Sequence, residues 1–303
     1  MEHTYSDSLR NLLESVPFQA QSLGTPRDNF VSIDMEATTN EVKDIVKDAC
    51  NKHISSIVIS ENDIPIGYSV IPRSDKNIKS YNPLRQYVKF KAKHYLKYND
   101  TLEVIIKRFV DVHHSSDKTT SPPIFLIINK NDDKDNPIGL MTYWDLNRRS
   151  VYTFIYTIFV YFEQAMKIEV YESHKNGYEN CIRDFIQKRD ANKNKPRITY
   201  NRTDDLKYNI SKLQFRELQT LLYDDHAFPN IQKKFPKDVI CAIGEKRNRI
   251  AHPVNLVIDN GPNEISKNLR TLKTICICGK KHVIAYDDNP KNTVHHSRLN
   301  EIE

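Results

Sequence analysis

An α+β fold is predicted: a strand–helix–strand–strand–helix unit present twice, then an all-α bundle, then a short terminal β-hairpin. Three observations predict it. The first half repeats one order of elements, and its two Pro-Ile-Gly triplets, at Pro65 and Pro137, lie 72 residues apart. From Val151 to Phe162 the chain is apolar on nearly every side of a 3.6-residue period, as a helix buried from several directions would be. Further helical patterns follow at Ile210–Tyr223, from about Pro236, and at Asn263–Leu272, and together with the Val151 helix they describe a small four-helix bundle.

The elements of the first half justify themselves in order. Residues 1–27 read as a short helix, Ser8 to Ser15, and an irregular lead-in. The first copy of the repeat, within 28–75, runs through Phe30–Ile33, a helix from Asn40 to His53, a strand Ser56–Ile59 and a strand Pro65–Val70. The second, within 86–149, runs through His94–Leu96, a helix from Thr101 to Val112, a strand Ile124–Ile128 and a strand Pro137–Thr142. Turn-forming residues precede each triplet, Asp63 in one copy and Asn131 to Asn136 in the other, so each copy closes in a hairpin. Arg73–Pro83 is a polar linker and His114–Pro122 a surface loop.

The doubled β-α-β-β-α order resembles a tandem pair of CBS modules, and Pro137-Ile138-Gly139-Leu140-Met141-Thr142-Tyr143-Trp144-Asp145-Leu146 carries the likeness through that family's G-x-x-T-x-x-D element. The resemblance implies an adenine-nucleotide ligand, with Asp145 holding ribose hydroxyls and Thr142 as the second contact. Asp145 equally suits an N-cap of a helix starting at Leu146. The first copy keeps Gly67 but has no matching aspartate, so one site per pair is expected. Arg148 and Arg149 follow Asp145 and fit an exposed charged face, or a ligand's phosphates.

In the second half, 150–275, the stretch Glu245-Lys246-Arg247-Asn248-Arg249-Ile250-Ala251-His252-Pro253 closes a helix, because the residue before a proline is pushed out of the α region. Asn248 and His252 share a face, while Arg247 lies about 140° round from His252. A guanidinium forks onto phosphate oxygens, and an imidazole moves protons near neutral pH. Arg247-Asn248, three residues, His252 and Pro253 closely resemble the R-N-x-x-x-H signature of HEPN ribonucleases. That resemblance implies a homodimer in which both chains build one metal-independent site, with 2′-hydroxyl attack on the adjacent phosphate of RNA. Glu163, where the Val151 helix turns polar, is an accessory candidate by the same likeness.

Arg183–Arg197 holds six basic residues against two acidic ones, and reads as a charged loop about Asn192–Pro196; Lys193, Lys195 and Arg197 are its candidates for gripping phosphates. The tail, 276–303, begins with an alternation about Gly279-Lys280 that predicts the hairpin. Cys276, Cys278 and His282 lack the usual zinc-ligand spacing, so no metal is expected there, and none is required for catalysis.

The totals set outer bounds. A charged share of 28% and hydrophobic share of 39% over 303 residues fit two globular domains rather than disorder. A net charge of +6 permits RNA binding without establishing it. Five scattered cysteines and an N-terminus lacking a signal-peptide core suggest reduced thiols and a cytoplasmic protein. The longest apolar run is too short for a bilayer, so no membrane partner is expected. The joint expectation is an adenine-nucleotide-regulated endoribonuclease, by analogy in bacterial defence or stress response. Two other readings stay open: a nucleotide-sensing regulator whose helical half only dimerises, and a module that binds RNA or protein without cutting.

Overall fold

The computed structural model describes residues 12–13, 15, 18–72, 80–115, 123–129, 134, 136–173, 175, 177–191, 206–223, 228, 232–233, 235–251 and 262–287. These fall into two compact units. One holds residues 14–151 with 255–270, and the other holds 152–254 with the two ends of the chain.

In the first unit, α1 (Ala20–Leu23) and β1 (Thr25–Pro26) precede β2 (Ser32–Asp34), α2 (Thr39–Asn51), β3 (Ser56–Glu61), β4 (Ile64–Val70) and β5 (Val88–Lys89). Then come β6 (Tyr95–Lys97), α3 (Leu102–Ser115), β7 (Phe125–Ile128) and β8 (Gly139–Met141). The strands form two four-stranded sheets, ordered β2-β3-β4-β5 and β1-β8-β7-β6. In each, a helix connects a parallel pair (β2 to β3, β6 to β7), and an antiparallel hairpin follows. The repeat legible in the sequence is thus a repeat of topology. Parts of the expected linker and loop, 73–79 and 116–122, lie outside the described residues, as does most of the Ser8–Ser15 helix.

Local chemistry explains these elements. Thr38 caps α2: its hydroxyl accepts from the Glu41 backbone at 3.4 Å while the Glu41 carboxylate accepts from the Thr38 backbone at 2.7 Å, a reciprocal box that fixes the helix start. The β3–β4 hairpin turns through Asn62 and Asp63, both left-handed with φ of 51° and 63°, which these two residue types tolerate. Strand alternation then divides the core. Ile57 and Ile59 pack with Val42, Val46 and Ala49 of α2, whereas Val58 and Tyr68 join Ile124, Leu126 and Leu140 of the other sheet. One apolar cluster therefore draws on both sheets. Gly139 is needed where β1 docks on β8, since a Cβ there would sit 2.9 Å from the Thr25 carbonyl oxygen.

His94 belongs to this interior. It is buried, with ring contacts to Tyr68 and Phe90, and its Nδ1 accepts the Lys91 backbone N–H at 3.0 Å. That bond requires an unprotonated Nδ1. Burial, with Lys93 and Lys91 close by, lowers its pKa to about 4. A group that folds with a depressed pKa and unfolds with an ordinary one near 6.5 binds more protons when unfolded. Its stabilisation is therefore complete above about pH 6.5 and is lost as pH falls toward 4. Denaturant unfolding followed by Trp144, the chain's single tryptophan and a member of this unit, is expected to show a lower midpoint at pH 5 than at pH 7. His94→Gln should shrink that difference.

The second unit is helical. It comprises α4 (Arg149–Ser173, whose first residues belong to the other unit), α5 (Glu179–Asp190), α6 (Leu206–Ser211), α7 (Phe215–Tyr223) and α8 (Lys237–Ala251). After α9 (Pro262–Lys273) the chain runs through a π-helix, Thr274–Gly279, into α10 (Lys280–Asp287). The expected terminal hairpin is therefore wrong: the segment is helical. Ile275, Cys276, Gly279 and Val283 are buried, a helical spacing, and Gly279 marks a close approach to Ile158 and Val239 rather than a turn. Of the Arg183–Arg197 stretch, α5 holds the residues up to Asp190 and Arg189 is buried against Glu217 of α7 at 2.8 Å, while the expected loop Asn192–Pro196 lies outside the described residues. The segment Ile210–Tyr223 is broken into α6 and α7. Among the described residues, no helix is long and apolar enough to cross a membrane.

Candidate functional site

α8 is described from Lys237 to Ala251. His252 and Pro253 lie outside the described residues, and of Asn248 only the helical backbone is described. Arg247 is placed. It is half-buried, with its guanidinium carbon 5.7 Å from the centre of the Phe159 ring on α4. A guanidinium over an aromatic face is held by the ring's quadrupole and keeps its N–H edges free to point elsewhere. Lys246 next to it is fully buried, so that member of the basic run is not solvated.

Around Phe159 the rings form a short row. Phe215 of α7 lies 5.3 Å away on one side and Tyr156 lies 6.1 Å away on the other. Phe159 and Phe215 are core, but Tyr156 is 52% exposed. The sequence reading took this whole stripe as interior, and periodicity could not single Tyr156 out from a helix apolar nearly all round. Glu163 stands one turn after Phe159, on the same face of α4. Its carboxylate is bound to Lys167 Nζ at 2.8 Å, so its charge is compensated by its own helix. Lys193, Lys195 and Arg197 lie outside the described residues.

In the other unit, Thr142 and Asp145 meet directly. Thr142 caps a 3₁₀ turn, Tyr143–Asn147, and Asp145 Oδ2 accepts both the Thr142 backbone N–H at 2.7 Å and its hydroxyl at 3.0 Å. Asp145 is thus inside the turn as the returning partner of a capping box, not the N-cap of a helix from Leu146. Its other oxygen, Oδ1, accepts from Arg148 Nε at 3.0 Å, and Arg148 Nη2 lies 2.9 Å from it in an ion pair. Arg148 Nη2 also reaches Thr25 Oγ1 on β1 at 3.3 Å. Burial raises the Asp145 pKa, against the pull of the Thr142 backbone N–H and the Arg148 charge. Arg148 was read from sequence as a residue of an exposed face; it is the ion-pair partner of a buried carboxylate.

No family model and no curated protein matches the chain. Among solved structures it is similar to the CBS domain of a bacterial CNNM/CorC-family Mg2+ transporter in complex with the inhibitor IGN95a, at 14% identity and a TM-score of 0.32, over 48% of this chain and 83% of that one. A second structure of the CBS domain of the bacterial CNNM/CorC-family Mg2+ transporter gives 15%, 0.31, 48% and 82%. A conserved CBS-domain protein of unknown function from Thermoplasma acidophilum gives 15%, 0.29, 46% and 75%. At these values the likeness assigns neither ligand nor activity.

Cys276 is buried and Cys278 exposed, and the described residues contain no group of three or more His, Cys, Asp or Glu side chains that could hold a metal ion. All five cysteines are free thiols.

Proposed function

We propose that the chain is a metal-independent endoribonuclease whose helical unit cuts RNA and whose doubled β-α-β-β half takes an adenine nucleotide as its regulator. The observation that carries the first part is the Arg247 guanidinium, laid on Phe159 in the last turns of the helix that leads into His252. In this reading Arg247 balances the charge that builds on the phosphate as the ribose 2′ oxygen attacks phosphorus and the 5′ oxygen leaves. His252 is the general acid or base: as base it takes the 2′ proton, as acid it protonates the departing 5′ oxygen. Asn248 orients the imidazole or the phosphate. Two chains pair their motifs to complete one site, as the HEPN resemblance implies. The exposed Tyr156 ring, which like the guanidinium lies against Phe159, supports an RNA substrate, because an aromatic face stacks any base while a cation meets its phosphate. Glu163 is kept as an accessory residue only.

The nucleotide part rests on Thr142 and Asp145, which form a paired, buried acceptor at the start of a short turn. The test of the whole is cleavage of labelled RNA by purified protein in a chelating buffer, with and without adenine nucleotides. Loss of cleavage in Arg247→Ala and in His252→Ala supports the enzyme; full cleavage in both removes this site. Titration calorimetry with adenine nucleotides is expected to give heat that Asp145→Ala abolishes. If the helical half only dimerises, nucleotide heat persists and no cleavage is seen.

A further inference from the structure

We infer that Arg148 is an exchangeable latch on Asp145, so that the site admits a phosphorylated nucleoside and disfavours the bare nucleoside. The inference rests on the nucleotide reading of Thr142 and Asp145 and goes beyond it by naming what selects the ligand.

A carboxylate offers about four lone-pair directions, two on each oxygen. In Asp145 both oxygens are engaged. Oδ2 takes the Thr142 backbone N–H and hydroxyl, and Oδ1 takes Arg148 Nε, with Nη2 of the same guanidinium 2.9 Å away in the ion pair. A ribose diol brings two O–H donors and needs acceptor sites that are not open. The Thr142 bonds cannot be surrendered cheaply, because they start the turn Tyr143–Asn147. The Arg148 bonds can. The Arg148 side chain is 40% exposed against 9% for Asp145, and its remaining anchor is a single 3.3 Å bond to Thr25. Arg148 is also a joint, an extended residue (φ −68°, ψ 148°) between the 3₁₀ turn and α4.

The exchange is then a matter of what the guanidinium finds after it lets go. A neutral nucleoside that displaces it takes Oδ1 but leaves the cation with Thr25 and water, so the broken ion pair is lost outright. A ligand carrying a phosphate beside its ribose gives the same guanidinium a second anion, and the planar fork suits two phosphate oxygens as well as it suits a carboxylate. The diol moves onto Asp145 and Arg148 moves onto the phosphate. The chemical class selected is therefore a nucleoside phosphate, through a charge exchange rather than through a fixed cationic pocket.

Calorimetry on the full chain with adenosine, AMP and ADP as probes tests this. The wild-type protein should bind AMP about tenfold or more tighter than adenosine, one charge-assisted pair's worth. Arg148→Met removes the latch while keeping the stem, so adenosine should bind several-fold tighter than to wild type and the preference for AMP should collapse. Arg148→Gln should behave alike, which guards against a folding defect peculiar to the methionine variant. Weaker adenosine binding in both variants, or an unchanged AMP preference, overturns the latch while leaving a nucleotide site intact. Absence of heat with all three probes in the wild type overturns the nucleotide reading and the latch with it.

Discussion

Arg247→Ala is expected to slow metal-free RNA cleavage by about 10²–10³-fold, the cost usually seen when one preorganised charge-stabilising donor is removed from a developing oxyanion. The guanidinium already lies against Phe159, so little ordering remains to be done when substrate arrives. Arg247→Lys should recover little. An ammonium keeps the charge but loses the planar fork and the face-on stacking that fix its direction. Phe159→Leu separates positioning from chemistry: it leaves the guanidinium in place chemically but removes the ring beneath it, so a smaller loss than that of Arg247→Ala is expected. His252→Ala should cost about 10²–10⁴-fold, as for other general acid–base groups. Single-turnover rates with saturating enzyme and EDTA present measure all four. Equal rates in wild type, Arg247→Ala and His252→Ala would end the nuclease reading.

How much of this was legible before the structure depends on what kind of physics each residue obeys. The doubled topology could be read because strand runs buried on both faces, such as Ile57–Ile59 and Phe125–Ile128, are apolar without interruption and are bounded by turn formers. The terminal segment misled because Ile275 and Ile277 alternate over a window too short to separate a strand from one broad helical face. Gly279 added to the error, since a glycine demanded by close packing against Ile158 looks the same in sequence as a glycine demanded by a turn. The charged residues were least legible. Arg148 and Arg189 are each the partner of a buried carboxylate. Nothing local marks such a pair: Glu217 lies 28 residues from Arg189, and only the packing of α5 on α7 brings them together.

That pair gives the largest expected effect on stability. Arg189 and Glu217 have side chains only 4% and 6% exposed, with Nε 2.8 Å from Oε1. Glu217 Oε2 also accepts the Gln214 backbone N–H at 2.9 Å, at the start of α7, so the carboxylate serves both the ion pair and the helix end. Removing one charge takes from the other its 2.8 Å partner in a buried site, and breaking such a pair costs about 3–5 kcal/mol where it has been measured. Glu217→Gln and Arg189→Met are each expected to lower unfolding free energy by about that much, with Arg189→Met/Glu217→Gln recovering most of the loss because neither charge then remains. Denaturant unfolding of the four proteins closes the cycle; singles within about 1 kcal/mol of wild type would mean the pair is relaxed or hydrated. The consequence reaches the candidate site. α7 carries Phe215, which packs on Phe159, which carries Arg247. Glu217→Gln should therefore lose cleavage at temperatures where far-UV circular dichroism still reports folded helices, since the ring beneath the guanidinium loosens before the bundle melts.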